Sequence, residues 1–201
     1  MKLVVGLGNP GREYEHTRHN AGFWWMSLVA AEERVTLKHE ARFHGAVARV
    51  VHAQGECWLL QPDTFMNLSG RAVAALARFY KIESEQILIV HDELDLPAGA
   101  AKLKKGGGVS GHNGLKDIAA QLGTRDFWRL RLGIGHPGER SAVVGYVLNP
   151  PRREEAVLIA EAMANSLAVW PLLRDGYTQA AMLKLHTKTE GVRSEEKKTI
   201  P

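Results

Sequence analysis

The chain has 201 residues, of which 45% are hydrophobic and 24% are charged, and its formal net charge is +4. This composition is typical of one soluble globular domain with a sizeable core, and the mild positive charge permits a phosphate-rich partner without requiring one. The single cysteine, Cys57, excludes a disulfide framework and a multi-cysteine zinc site and fits a reducing cytoplasm. No apolar run reaches the ~20 residues of a transmembrane helix, so we expect no membrane span. Met1-Lys2 leads straight into a predicted strand, so we expect no signal peptide.

The hydrophobic pattern predicts strands and helices that alternate along the chain. In the first half these are, in order, a strand over 3–8, a helix over about 20–33, an antiparallel hairpin with strands over 44–51 and 57–61, and a helix over 69–80 that Ser69 can cap. In the second half they are a buried strand over 87–90, an edge strand over 101–105, a helix over about 114–122, a strand over 127–133, and helices over about 153–169 and 179–186.

This alternation predicts an α/β fold, a single-domain layered arrangement in which a twisted mixed β-sheet is flanked by helices. The hairpin is the reason to expect a mixed rather than an all-parallel sheet. We expect one hydrolytic domain over 1–188, followed by a polar, flexible tail over 189–201.

The glycines that follow the first strand match the pattern G-x-G-x-x-G over 6–11, which by itself is a weak indication of dinucleotide binding. Two observations argue against that function. The segment over 12–20 offers only Tyr14 as an apolar residue, and Glu32, at the right distance for a ribose ligand, lies in a helical pattern instead of at a strand end. The Walker A pattern also fails, because Lys116 lacks the adjacent glycine and the following serine or threonine.

Polar residues that can do chemistry follow several of the predicted strands and loops. They are Asn9, His19, Asn67, Asp92 and Asn113. Taken one at a time, each has an ordinary structural explanation as a turn residue, a helix cap or a buried hydrogen-bonding group. In a layered α/β fold, however, such positions gather along one edge of the sheet, where binding sites form.

The chemistry of this set favours attack by water on an acyl bond. A histidine can take a proton from water near neutral pH, a carboxylate can fix the tautomer of that histidine, and side-chain amides can donate to a developing oxyanion. No serine or cysteine stands in a nucleophile-elbow pattern. The acidic cluster over 91–95 has no metal-ligand spacing beside it, so we expect no metal.

Basic residues cluster on the edge strand and on the strand over 127–133. They are Lys102, Lys104, Lys105, Arg129 and Arg131, with Lys116 in the helix between. One explanation is an edge strand protected by lysines against aggregation. The other is a phosphate clamp beside the acyl site, since arginine binds phosphate through a planar fork and lysine as a point charge.

Five motifs in this order resemble the bacterial peptidyl-tRNA hydrolase family over most of the chain, from Leu3 to about Gly176. The motifs are GLGNPG with TRHNAG over 6–22, FMNLSG over 65–70, HDELDLPAG over 91–99, GHNGLKD over 111–117 and RLGIGHPG over 131–138. The resemblance implies an enzyme that hydrolyses the ester bond between a peptide, or an N-blocked aminoacyl group, and tRNA, and so recycles tRNA from prematurely released peptidyl-tRNA. It also implies a cytoplasmic monomer without metal or cofactor.

The resemblance implies a role for each matching residue. His19 would be the base that activates water, and Asp92 the carboxylate that orients it. Asn9, Asn67 and Asn113 would line the cleft, where the first two hold the peptide and the scissile carbonyl and the third helps to place water or the tRNA 3′ end. The other implied contacts are Tyr14 and Met66 for the terminal adenosine or the first peptide residue, and Lys104 and Arg131, with Lys102 and His112 close by, for the tRNA 5′ phosphate.

Two other hypotheses stay open at this point. The same basic face fits an RNA-binding protein without catalytic activity, and the glycine turn fits a dinucleotide-dependent enzyme. One departure from the family pattern, Val109-Ser110 in the glycine loop, bears on the mobility and tRNA contacts of that loop.

Overall fold

The protein, here a computed structural model, is built on a seven-stranded mixed sheet with helices on both faces. The structure describes the backbone of residues 1–109 and 111–196, and side chains in these ranges as far as residue 187. The strands are β1 (Leu3–Gly6), β2 (Lys38–Glu40), β3 (Gly45–His52), β4 (Gly55–Pro62), β5 (Ile87–Glu93), β6 (Ala101–Lys105) and β7 (Trp128–Gly133). Their spatial order is β2-β3-β4-β1-β5-β7-β6.

The four central strands, β4, β1, β5 and β7, are parallel, and antiparallel strands continue the sheet on both sides. The first residues of β1 and β5 are fully buried, as expected for parallel strands that are covered by helices on both faces. β6 forms one edge of the sheet. Its Ala101 and Leu103 side chains are buried in the core, and its Lys104 side chain is exposed to solvent. The predicted mixed sheet, the antiparallel hairpin and the edge strand over 101–105 are therefore confirmed.

The helices are α1 (Ala21–Glu32), α2 (Ser69–Phe79), α3 (Asn113–Leu122), α4 (Val143–Val147), α5 (Arg153–Leu167), α6 (Trp170–Arg174) and α7 (Thr178–Glu196). α2 and α3 pack on one face of the sheet around Val5, Ile89 and Leu115. α1, α5, α6 and α7 pack on the other face around Val90, Trp25 and Trp170. The chain thus forms three layers with a hydrophobic core on each side of the sheet.

The differences from the predicted elements have local causes. The short elements β2, α4 and α6 are not predicted, because three or five residues are too few to produce a clear period. Ser69 does not cap α2: the cap position is Leu68, and the Ser69 hydroxyl donates to the carbonyl oxygen of Met66. Part of the tail predicted over 189–201 is the helical end of α7, and residues 197–201 lie outside the described residues.

The glycines after β1 allow a close approach between strand and helix. A Cβ on Gly6 would lie 2.4 Å from the carbonyl oxygen of Gly22, and a Cβ on Gly22 would lie 2.4 Å from the carbonyl oxygen of Val90. Two short 3-10 helices, Arg12–Tyr14 and Arg18–Asn20, separate these glycines from α1. The pattern over 6–11 therefore lacks the helix N-terminus that a dinucleotide site requires directly after its glycines.

Candidate active site

The candidate site lies at the carboxyl ends of β1 and β5. Asn9 follows β1, Asp92 is near the end of β5, and His19 lies in the 3-10 helix that precedes α1. Because the two strands are adjacent and parallel, their carboxyl ends meet at the same edge of the sheet. The structure therefore brings together three residues that are up to 83 positions apart, as the positions of the strand ends predict.

His19 and Asp92 form a hydrogen-bonded pair. The Nδ1 of His19 lies 2.9 Å from one carboxylate oxygen of Asp92 and 3.0 Å from the other. The Asp92 side chain is almost completely buried, whereas the His19 side chain is 12% exposed. Nδ1 donates to the carboxylate, so Nε2 is the ring nitrogen that can accept a proton from a substrate or from water.

The electrostatics of the pair stabilise an ionised carboxylate beside a basic imidazole. Burial alone lowers the pKa of His19, but the charge of Asp92 and its hydrogen bond outweigh burial, so the net pKa is raised above 6.5. Burial alone would raise the pKa of Asp92, but the electrostatic attraction of the His19 and His112 rings and their hydrogen bonds hold it far below its usual range. Asp92 is therefore an anion that orients His19.

His112 is a second partner of Asp92. Its Nε2 lies 3.0 Å from the carboxylate oxygen of Asp92 that His19 also contacts. It caps α3 as well, since its Nδ1 accepts a hydrogen bond from the backbone N–H of Leu115 at 3.4 Å. Nδ1 therefore acts as the acceptor and Nε2 carries the proton that is donated to Asp92. The resemblance implies a place for His112 near the phosphate clamp, whereas the structure places it against the carboxylate of Asp92.

His91 makes a hydrogen bond to the backbone at the same end of β5. Its Nδ1 lies 2.6 Å from the carbonyl oxygen of Asp92, to which it donates, and its ring packs edge-on against His112 with centroids 5.0 Å apart. Burial, and then the neighbouring His112, hold the pKa of His91 well below its ordinary value. His91 is therefore a neutral donor that stabilises the backbone of β5 at the site.

Asn9 is held by the backbone N–H of Met66 and by the side chain of Asn20, whose role the sequence did not indicate. The Asn9 N–H donates to Oδ1 of Asn20 at 2.8 Å, and Nδ2 of Asn20 donates to the Asn9 carbonyl at 3.0 Å. The N–H of Met66 donates to Oδ1 of Asn9 at 2.7 Å. Because its amide oxygen is already occupied, Asn9 offers its NH₂ group to a ligand.

Asn67 and Asn113 lie on two neighbouring segments that form a rim of the site. Asn67 belongs to the 3-10 helix Met66–Leu68, and Asn113 is the first residue of α3. These segments are in contact, since a Cβ on Gly114 would lie 2.6 Å from the sulfur of Met66. Both asparagine side chains are exposed. Neither is a helix cap, because the cap positions are Leu68 and His112.

Apolar side chains border the site beside Asn67. The rings of Tyr14 and Phe65 meet edge to face with centroids 6.2 Å apart. Phe65 is 54% exposed and Leu68 is 50% exposed, whereas Met66 is buried. An exposed apolar surface next to hydrogen-bonding amides suits an extended peptide. The Tyr14 side chain, for which the resemblance implies a substrate contact, is only partly buried. The side chain of Met66 is buried in the core.

The three acid–base residues could in principle be metal ligands, since ligand atoms of His19, Asp92 and His112 lie within 4.8 Å of one another. Their hydrogen bonds argue against a metal. The Nε2 of His112 carries a proton because its Nδ1 accepts from Leu115, and a protonated nitrogen has no lone pair for a metal. The Nδ1 of His19 is likewise a donor to the carboxylate. The donor set fits an acid–base site better than a metal centre.

The predicted phosphate clamp lies on β6 and β7. Lys102 pairs with Arg131 and Lys104 pairs with Arg129, so all four side chains are on one face of the sheet. Lys104 is exposed, and Arg131 contacts the Glu93 carboxylate at 2.7 Å while remaining 18% exposed. Arg129 differs from the others, because it is buried and donates to backbone carbonyls. The structure therefore leaves Lys102, Lys104 and Arg131 accessible to a phosphate.

Arg18, next to His19, is an anchor that the sequence did not indicate. Its guanidinium contacts the Glu155 carboxylate at 2.6 Å and the carbonyl oxygens of Tyr146 and Asn149 at 2.9 and 3.0 Å. These partners lie 128–137 residues away, so no local pattern could have identified them. Arg18 attaches the turn that carries His19 to the start of α5.

Within the part of the chain that the structure describes, no helix combines the length and the apolar character needed to cross a membrane.

Comparisons with known proteins agree on one family. A family model described as peptidyl-tRNA hydrolase matches residues 3–193. Peptidyl-tRNA hydrolases of Nitrosospira multiformis and Methylobacillus flagellatus are 64% and 66% identical over 190 residues, which cover 94% of this chain and 100% and 98% of theirs. The crystal structure of peptidyl-tRNA hydrolase from Acinetobacter baumannii is 45% identical and superposes with a TM-score of 0.88, covering 92% of this chain and 94% of that one.

Proposed function

The chain belongs to the peptidyl-tRNA hydrolase family, and from that premise we propose that it hydrolyses the ester bond between a peptide and tRNA with water activated by His19. The observation that carries the mechanism is the state of His19, whose Nδ1 is held by a buried anion while Nε2 is left to take a proton. The same reaction releases N-blocked aminoacyl groups and returns tRNA to translation.

The proposed reaction has two proton transfers through one nitrogen. Nε2 of His19 removes a proton from water as the water oxygen attacks the ester carbonyl carbon. Negative charge forms on the carbonyl oxygen, and the Asn9 NH₂ group, with the exposed amides of Asn67 and Asn113 on the rim, donates to it. The C–O bond to the terminal ribose then breaks, and His19 returns the proton to the ribose oxygen. The products are tRNA with a free hydroxyl and a peptide carboxylic acid, which releases its proton to solvent at neutral pH.

Attack by an enzyme hydroxyl or thiol is a weaker explanation of the same site. Ser69 lies near Met66 but is fully buried, and its hydroxyl is already a donor to the Met66 carbonyl. Cys57 is buried in the core, where burial raises the pKa of its thiol to about 12. Neither group is available as a nucleophile.

The finer contacts with substrate are also part of the proposal. Lys102, Lys104 and Arg131 would bind the 5′ phosphate of the acceptor arm, Tyr14 and Met66 would border the terminal adenosine or first peptide residue, and His112 would act with Asp92. We propose a cytoplasmic monomer that needs no metal or cofactor. The acid–base residues, the amides and the basic face all come from one chain, so the proposed site needs no residue of a second subunit.

The direct test is hydrolysis of an N-acetyl-aminoacyl-tRNA in EDTA by wild type and by His19→Ala. We expect rapid release by wild type and a loss of kcat of about 10²–10⁴-fold in the variant, because removing a general base affects the transition state. The tRNA affinity should change little. His39→Ala is the matched control, since that histidine pairs with Asp63 on the surface and should keep full activity.

Two results would contradict the proposal. Tight tRNA binding by wild type without ester cleavage would favour a non-catalytic RNA-binding protein. A normal kcat in His19→Ala would show that another group is the base. A fluorescence titration with NADPH addresses the remaining hypothesis, and we expect no saturable binding because the glycine turn lacks an adjoining helix N-terminus.

A further inference from the structure

Arg129 is a buried cation to which the proposed mechanism assigns no role. It lies in β7 between β5 and β6, opposite Ile89 and Lys104, and is only 3% exposed. Its Nη1 donates to the carbonyl oxygen of Gly108 at 2.9 Å, and its Nη2 donates to the carbonyl oxygen of Gly106. It has no ion pair among the described residues, and its Nε is buried without a partner there. A buried guanidinium that bonds only to backbone is an unusual use of an arginine.

The glycine loop closes tightly around this guanidinium. Gly106 and Gly107 have φ values of 63° and 93°, which favour glycine. A Cβ on Gly107 would lie 2.9 Å from Nη2 of Arg129 and 2.9 Å from Cε of Lys104. The loop backbone is therefore in contact with the buried arginine and also with a lysine of the proposed phosphate clamp.

The same loop leads directly to the catalytic carboxylate. The N–H of Gly106 donates to the carbonyl of Phe127 at 2.9 Å, which attaches the start of the loop to β7. The side chain of Val109 is buried in the core beneath α3, and its carbonyl accepts the N–H of His112 at 3.2 Å. His112 in turn donates to Asp92. A continuous series of contacts thus joins Arg129 to the acid–base pair.

The charges around Arg129 favour an anion near this loop. Burial, and then the neighbouring Arg131, lower the pKa of Arg129, and Glu93 only partly compensates. The Glu93 carboxylate is 2.7 Å from Arg131, so it is already paired. A phosphate bound by Lys104 and Arg131 would add the negative charge that this cluster lacks.

We propose that Arg129 is a positioning residue, which shapes the loop over 106–109 and thereby sets His112 against Asp92. Because Lys104 packs against the same Gly107, phosphate binding at the clamp and the placement of His112 are coupled through this loop. The inference rests on the proposed function, since it concerns the same acid–base site.

The first test is a comparison of Arg129→Lys with the matched control Arg131→Lys. Lysine keeps the charge but cannot donate to two carbonyls with a planar fork, so the loop loses its shape. We expect Arg129→Lys to lower kcat about tenfold while KM changes less than about twofold, because a misplaced catalytic group affects the reaction more than binding. Arg131→Lys should give the opposite result, a raised KM with nearly unchanged kcat. A raised KM in both variants would overturn the proposal.

A double-mutant cycle with His112→Ala tests the route of the effect. If Arg129 acts through His112, the double variant should have the same kcat as His112→Ala alone. If the losses in kcat of the two single variants multiplied in the double variant, Arg129 would act by some other route. A merely structural role of Arg129 would lower the melting temperature without this non-additivity in kcat.

A measurement on wild type covers the case in which Arg129→Lys does not fold. Amide hydrogen exchange over 106–109 is followed with an RNA minihelix that carries a 5′ phosphate and with the same minihelix ending in a 5′ hydroxyl. We expect the phosphorylated RNA to slow exchange at these amides at least about threefold more, since it stabilises the loop around Arg129. Equal protection by both would overturn the coupling. This readout does not require ester hydrolysis, so it separates failure of this inference from failure of the proposed function.

Discussion

At the scale of single residues, the buried carboxylate of Asp92 is the group on which the proposed chemistry depends. Its carboxylate accepts from His19 and His112, and its carbonyl accepts from His91, so three imidazoles surround one buried anion. In the proposed mechanism, this charge fixes the tautomer of His19 and would stabilise the imidazolium formed when water loses its proton. Asp92→Asn removes this charge and keeps the shape of the side chain, so it is the most direct test of the role of Asp92.

Asp92→Asn should lower kcat by about 10²–10⁴-fold with a small change in KM, because an amide can hold His19 in the wrong tautomer. Steady-state hydrolysis of N-acetyl-aminoacyl-tRNA measures both constants. Asp63→Asn is the control, since that carboxylate also pairs with a histidine but on the exposed surface. If Asp92→Asn kept wild-type kcat, Asp92 would have no part in orienting the base.

The raised pKa of His19 predicts the pH dependence of hydrolysis. Only neutral His19 can accept a proton, so activity should rise with pH through the raised pKa, above the ordinary value of 6.5. Asp92→Asn removes the charge that raises this pKa, so the acid limb of the profile should move to lower pH in the variant. A profile of log kcat/KM from pH 5 to 9 measures the shift, and a shift to higher pH would contradict the assignment.

At the scale of elements, one face of β6 packs on the core and the other face carries the cations of the proposed phosphate clamp. The alternation places Ala101, Leu103 and Lys105 on one face, and the clamp residues Lys102 and Lys104 on the other. Lys105 pairs with Glu85 at 2.7 Å. One edge strand can therefore complete the core and also present cations to a phosphate.

Lys104→Ala and Arg131→Ala should each raise KM and flatten its salt dependence with little change in kcat. Each lost phosphate contact should reduce the slope of log KM against log salt by roughly 0.7–0.9. KM measured from low to moderate salt tests this, with Lys105→Ala as the control on the opposite face. Unchanged slopes in both clamp variants would exclude the proposed phosphate site.

At the scale of the whole molecule, the site depends on how closely α1 packs against the sheet. Gly22, at the start of α1, leaves no room for a side chain between the backbone N–H of Leu7 and the carbonyl of Val90, each 2.4 Å from a Cβ built there. These two backbone groups are hydrogen-bonded to each other at the ends of β1 and β5. The geometry of the candidate site and the stability of the fold thus both depend on the close approach of Gly22 to these two backbone groups.

Gly22→Ala should destabilise the protein by about 1–3 kcal/mol, because the new methyl group meets backbone atoms that cannot move independently. Thermal unfolding should show a melting temperature lower by about 2–4 °C per kcal/mol for a chain of this length. Gly145→Ala is the matched control, since its Cβ would meet no atom within 4 Å, and it should be neutral or slightly stabilising. Equal melting temperatures for the two variants would contradict this account of the close packing.

Local patterns were sufficient to predict much of this molecule. The apolar run over 87–90 predicts a buried strand, and the alternation over 127–133 predicts a second one, because burial on one or both faces imposes a pattern on the sequence itself. Their parallel pairing with each other comes from the structure. The ends of such strands indicate where polar groups gather, which is why the sequence alone identifies Asn9 and Asp92 as candidate site residues.

The partners of these residues depended on packing between distant segments. The family resemblance implies a place for His112 beside the clamp lysines, yet its contact is Asp92, twenty positions away. Arg129 alternates with Arg131, yet only Arg131 is accessible. Asn20 and Arg18 lie in the TRHNAG motif, but the sequence could not predict their roles, which depend on bonds to Asn9 and to the start of α5. Periodicity reports which face of an element is buried, whereas the identity of the neighbour across that face is set by how all the layers pack together.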